Sequence, residues 1–153
     1  MIADPLIKMV RMFDDVTIPK IQNEGDSGFD LHAYLTREPF CSHTYRIAPH
    51  TTALLWTGIK LAIPTGFEGQ VRSRSSMAKR DIIVANQPGT IDSGYRGEIG
   101  VLLHNLSDSM RFIEHGDRIA QLVICPVAAP LIYECNVLDE TERGEGGFGS
   151  SGK

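Results

Sequence analysis

Cysteine is scarce and scattered in this chain. Cys41, Cys125 and Cys135 are odd in number and contain no C-x-x-C pair, which argues against both a disulfide-framed scaffold and a zinc knuckle. His32, His43, His50, His104 and His115 likewise lack metal-ligand spacing. Neither sign of charge dominates. With 15 basic and 19 acidic residues the formal charge is −4, so no global field draws the protein to nucleic acid or to an anionic membrane. Any anion it binds must be held by local groups. No apolar run approaches the ~18 residues of a membrane span. The opening Met1-Ile2-Ala3-Asp4-Pro5 is not a basic segment followed by an apolar one. A soluble, cytoplasmic protein with no direct nucleic-acid or membrane binding is the expectation. Long amphipathic helices are missing too, since no segment holds a 3.6-residue period beyond about two turns. There is no internal repeat and no interdomain linker.

Short alternating runs recur instead: Leu6 to Met12, Ile59 to Ile63, Glu98 to Leu103, Met110 to Phe112 and Ile119 to Ile124. Gly, Pro, Asn and Asp punctuate them at strand-and-turn intervals, the pattern of a sandwich or jelly roll. The fold expected is all-β, a jelly-roll-like sandwich or barrel. Its one short helix is Ser75 to Arg80, started by hydroxyl residues able to cap it. At 153 residues this is one domain with room for a real core. Its boundary falls at Leu138, after which residues 139–153 are too Gly-rich and too polar to fold alone.

The chain is organised around Val84 to Val101. Apolar ends bracket turn chemistry at Pro88-Gly89 and Ser93-Gly94, so the segment reads as a β-hairpin presenting Asp92 and Tyr95 near its tip. A carboxylate beside an aromatic ring on a rigid loop suits a small-molecule site. Taken alone, the same residues equally describe a surface hairpin with a turn-forming Asp.

Other segments carry anion chemistry. Arg72-Ser73-Arg74-Ser75-Ser76 sets two arginines and three hydroxyls at the start of the short helix, a phosphate seat or an exposed basic turn. Ser76-Met77-Ala78-Lys79 spells S-x-x-K, but S-D-N and K-T-G are absent, which excludes a penicillin-interacting enzyme. Gly144, Gly146 and Gly149 spell G-x-G-x-x-G, yet no helix can follow, so a Rossmann site is excluded on context. In that tail, glycine N–H groups, Ser150 and Ser151 offer donors to one anion, and Arg143 offers a bidentate guanidinium. Phe148 gains nothing in a tail unless it stacks, and a nucleobase is one surface it suits. A disordered solubilising tail is the alternative. Asp30, between Phe29 and Leu31, can hold a metal through water or cap a turn. Gln121 lies among apolar neighbours and must find a hydrogen-bond partner, ligand or backbone.

Gly28 to Leu31, Arg72 to Ser76, Gly89 to Gly97, Gly116 to Gln121 and Arg143 to Gly149 resemble, in this order and spacing, the five signature motifs of the trimeric dUTP pyrophosphatase (dUTPase) family. The resemblance covers about Gly25 to Gly152. It implies Mg²⁺-dependent hydrolysis of dUTP to dUMP and pyrophosphate, which keeps uracil out of DNA and supplies dUMP for thymidylate synthesis. In the family the Asp matching Asp92 orients and helps deprotonate a water that attacks the α-phosphorus. The Tyr matching Tyr95 packs beneath the deoxyribose, and the backbone around Gly89 with Asn86 reads the uracil edge. The resemblance further implies that Asp30 coordinates Mg²⁺ through water and that Arg74, Ser75, Ser76 and Gln121 lie at the phosphates. Arg143 would bind the γ-phosphate while Phe148, with Gly149 and Ser150, closes over uracil. Sites in the family form between three chains, so a homotrimer is implied, with residues 139–153 as an arm closing over a shared site. Ser73 stands where the family usually has Pro, Ser76 where Gly is common, Ser27 where Ala is common and Ser151 where Thr is usual.

Two other functions compete. A dCTP deaminase is similar in fold, but the position of its catalytic Glu falls at Leu102, and an apolar side chain cannot shuttle protons. A non-catalytic uracil-nucleotide sensor has no use for a water-orienting carboxylate at Asp92.

Overall fold

The computed structural model describes residues 4–36 and 42–147. Ten strands and one helix run in the order β1 Lys8–Arg11, β2 Gly28–His32, β3 Thr44–Ile47, β4 Thr52–Ala62, β5 Phe67–Arg72, α1 Ser75–Ala78, β6 Ile82–Val84, β7 Gly89–Ile91, β8 Glu98–Asn105, β9 Arg111–Glu114 and β10 Arg118–Pro126. They form two four-stranded sheets, ordered β1-β4-β8-β6 and β2-β10-β5-β7, and a two-stranded sheet β3-β9. Every pairing is antiparallel. The all-β reading stands.

The period-2 pattern builds the core directly. Along β8, Ile99, Val101, Leu103 and Asn105 point inward while Glu98, Gly100, Leu102 and His104 face out. β4, beside β8 in the same sheet, adds Leu55, Ile59 and Leu61, and β10 of the other sheet adds Ile119 and Leu122, all buried. Each such Leu or Ile contributes on the order of 1.5–3 kcal/mol by leaving water. Asn105 is the polar exception on β8, fully buried at 0% exposure. Its Nδ2 donates to the Ile47, Ala48 and Ser109 carbonyls at 3.1, 3.2 and 2.8 Å, and its Oδ1 accepts from Ser107 N and Oγ. That satisfaction ties the β3-β9 ribbon to the end of β8.

Two local expectations need correction. The helix is shorter than expected, and Arg74 occupies its N-cap with no side-chain capping bond, so Ser75 and Ser76 lie inside the turn instead of capping it. The Val84 to Val101 segment is not a simple hairpin: β6 pairs with β8 in one sheet, while β7 crosses over to pair with β5 in the other. Alternation fixes which side chains are buried but not which neighbour a strand pairs with. Asp92 and Tyr95 therefore sit in the turn between β7 and β8, closed by Tyr95 N–H donating to Asp92 O at 3.0 Å. The last strand ends at Pro126, and residues 127–147 run without helix or strand.

Candidate functional site

A concavity of about 740 Å³ opens between β2, β10 and the segment joining β5 to α1. Asp30, Arg74, Ser75 and Gln121 all line it, together with Arg72, Ser73 and Arg118. Asp30 is its buried anchor, 6% exposed on β2. A carboxylate there requires partners, and it has two: Arg74 Nε at 2.8 Å from Oδ1 and Arg118 Nη1 at 3.2 Å from Oδ2. Arg74 Nη1 also donates to the Arg118 carbonyl at 3.2 Å and to Ser76 Oγ at 3.3 Å, which fixes the guanidinium and links Ser76 to the basin. Gln121, opposite Asp30 in the β2-β10 pairing, donates from Nε2 to Ser73 O at 3.2 Å. Its hydrogen-bond requirement is thus met by backbone.

Three arginines against Asp26 and Asp30 give the basin an excess of positive charge suited to a polyanion. That seat is built from side chains, because α1 is only four residues long. His32, two residues beyond Asp30, has its pKa lowered from 6.5 chiefly by burial, with Arg118 and Arg74 acting in the same direction and Asp30 opposing. Its Nδ1 is buried without a hydrogen-bond partner among the described residues.

A second concavity of about 210 Å³ gathers Asn86, Gly89 and Tyr95 with Leu54, Trp56 and Val71. Asp92 shares a smaller one of about 180 Å³ with Tyr95 and Thr90. Tyr95 is held at the turn by its hydroxyl, which donates to Glu98 O at 3.0 Å. Trp56 is half-buried against this pocket. The two regions meet at β5, where Val71 lines the second pocket and Arg72 the basin. Successive strand residues point to opposite faces, so one chain directs the two halves apart.

Arg143 joins neither half. Its Nε donates to Gly146 O at 2.8 Å within a local turn. Phe148, Gly149 and Ser150 lie outside the described residues. Reading the sequence set Arg72 in a candidate phosphate seat but missed Arg118 as a basin residue. A buried acid in β2 was the available signal that a second cation must approach it.

The fold and these two concavities define a β-sandwich with a cationic basin and a separate aromatic-edged pocket. The dUTPase family profile matches residues 14–152. A deoxyuridine 5'-triphosphate nucleotidohydrolase of Picosynechococcus sp. is 48% identical over 147 residues, spanning 95% of this chain and 98% of that relative. One from Helicobacter pylori is 46% identical over 147 residues, spanning 95% and 96%. Among solved structures, a Staphylococcus bacteriophage 80alpha dUTPase variant with dUpNHpp superimposes with a TM-score of 0.84 at 25% identity, covering 97% of this chain and 99% of that one. The chain belongs to the dUTPase family.

Proposed function

We propose that this protein hydrolyses dUTP to dUMP and pyrophosphate by attack of water on the α-phosphorus. The observation that carries the reading is the convergence of Arg74, Ser75, Gln121 and the Asp30 anchor in one cationic basin, in a chain of this family. Hydrolysis of a polyanion is limited by charge and by positioning. Arg74, held by Asp30, offers fixed donors to phosphate oxygens, and the Ser75 and Ser76 hydroxyls extend them. Asp92, exposed beside Tyr95, orients the attacking water and accepts its proton. Asn86 and the Gly89 backbone read the uracil edge, and Tyr95 packs under the deoxyribose.

Mg²⁺ fits this donor set in one mode. Among the described residues no group of three or more His, Cys, Asp or Glu could cage a cation. Mg²⁺ characteristically keeps several waters and binds substrate phosphates with one or two carboxylates. Asp30, although paired with both arginines, retains lone pairs able to accept from a metal-bound water. When bound, the ion neutralises charge on the phosphate oxygens.

The site is completed between copies, in a homotrimer. β5 directs the basin and the nucleobase pocket to opposite faces, which supports a ligand spanning two chains. Leu131, Ile132, Tyr133, Val137 and Leu138 are 79–98% exposed, an apolar stretch suited to burial against another copy. Residues 139–153 form an arm that carries Arg143 and Phe148 over the site and excludes water.

The deciding experiment is pyrophosphate release from dUTP with Mg²⁺, run beside dTTP, dCTP and UTP, for the wild type and Asp92→Asn. Release from dUTP alone, lost in the variant while dUpNHpp still binds, is the expected result. Ammonia release from dCTP, or tight dUTP binding without turnover, would overturn it. Sedimentation equilibrium checks the trimer.

A further inference from the structure

Ser73 touches three parts of the site at once. It follows β5 directly and precedes Arg74. Its hydroxyl accepts from Val84 N–H at 2.8 Å. Its own N–H donates to Gln87 Oε1 at 2.9 Å. Its carbonyl accepts from Gln121 Nε2 at 3.2 Å. β6 is an edge strand, paired only with β8, and the Val84 N–H points away from that partner. Without Ser73 Oγ that donor would face the β5 side unmet.

We infer that Ser73 is a positioning residue that sets the register between the phosphate basin and the strand leading into the nucleobase pocket. The inference rests on the proposed hydrolysis of dUTP. Its three bonds fix Gln121, the β6 edge and the Gln87 side chain relative to Arg74, and the chain from Val84 through Gln87 carries Asn86 between them. The family resemblance places proline at this position. Proline fixes φ through its ring but has neither an N–H nor a hydroxyl. This chain has exchanged that rigidity for hydrogen bonds, and the long amide of Gln87 supplies the acceptor that a backbone N–H at 73 requires.

The consequence is a Michaelis-constant effect separable from chemistry. Ser73→Ala removes the hydroxyl and keeps the N–H, while Ser73→Thr keeps both. Gln87→Ala, at an exposed side chain, removes one arm with little risk to folding. For Ser73→Ala in the full chain the expected result is a rise of about five- to tenfold in KM for dUTP and in Kd for dUpNHpp, with kcat within about twofold. Ser73→Thr restores both to within about twofold, Gln87→Ala shows a smaller rise, and the Val84 amide exchanges faster in Ser73→Ala than in the wild type. A Ser73→Ala protein with lowered melting temperature but unchanged KM and Kd would overturn the inference, as would a Thr variant as impaired as Ala. If Ser73→Ala does not fold, an unchanged KM in Gln87→Ala overturns it. A wild type that neither hydrolyses dUTP nor binds dUpNHpp defeats the underlying reading instead.

Discussion

The Tyr95 side chain lies across Gly97, so close that a Cβ added at 97 would meet its ring carbons and its hydroxyl oxygen. The hydroxyl continues past the glycine to donate to Glu98 O at 3.0 Å. Gly97 is therefore the seat of the ring, and its lack of a side chain sets where the ring stands. Gly97→Ala must push Tyr95 outward, which is easy because Tyr95 is 44% exposed. The expected outcome is a folded protein whose preference for dUTP over UTP, as a ratio of kcat/KM values, falls about tenfold, or about 1.4 kcal/mol. Tyr95→Phe keeps the ring and loses only the anchor, so it should fall less. An unchanged ratio in Gly97→Ala would show that the ring position is not what discriminates.

Asp30→Asn separates the anchor from its arginines. The carboxylate is nearly buried, and the substitution leaves two guanidinium groups facing a neutral amide. Breaking a buried pair costs several kcal/mol, but the Arg118 side chain is 48% exposed and water screens its share. A loss of about 2 kcal/mol is expected, read as a lower urea midpoint at constant slope. Phosphate affinity should fall with it, because Arg74 loses the partner that orients it. Equal midpoints for the two proteins would mean that solvent replaces Asp30 completely.

How far these relationships could be read in advance depends on their distance along the chain. Strands such as β8 were legible because inward and outward residues alternate within one short window. β2 was not, since Asp30 interrupts its apolar face and its partner Arg118 is 88 residues away. β5 buries Gly69 and Val71 on its inner face, too small a signal beside Glu68, Gln70 and Arg72. The resemblance put Arg74, Ser75, Ser76 and Gln121 at the phosphates and Asp30 on Mg²⁺ through water, and Asp30, Arg74, Ser75 and Gln121 line one basin. The separation of Asn86 and Tyr95 onto another face was not legible, because it depends on which sheet β7 enters.

Gly58 tests the backbone of β4. It has φ +72° and sits where the β4-β8 register shifts between Trp56 and Lys60. An added Cβ would lie 2.5 Å from Val16 Cγ2 and 3.3 Å from Tyr34 Cγ. Left-handed strain of roughly 1–2 kcal/mol and overpacking of roughly 1–3 kcal/mol act together. Gly58→Ala should lose about 2–5 kcal/mol, which for a chain of this size lowers the melting temperature by roughly 4–20 °C. A melting temperature within about 2 °C of the wild type would mean that the strand relaxes at little cost.

His32 makes stability depend on pH in a stated direction. Burial holds its folded pKa below 6.5, aided by Arg118 and Arg74 and opposed by Asp30, the charged groups acting on it. On acidification through 6.5 the unfolded chain therefore takes up this proton first, and the unfolded state gains stability relative to the folded one. The contribution is fully present above 6.5 and is lost as pH falls towards the depressed folded value. One such proton gives a slope of at most about 1.36 kcal/mol per pH unit. His32→Gln removes the titration and keeps a polar group of similar reach. Urea denaturation at several values from about pH 5 to 8 should show the wild type weakening below neutrality more steeply than the variant, with the two parallel above pH 7. Parallel curves throughout would mean that His32 protonates equally in both states, and its buried Nδ1 would then have to reach solvent in the folded protein.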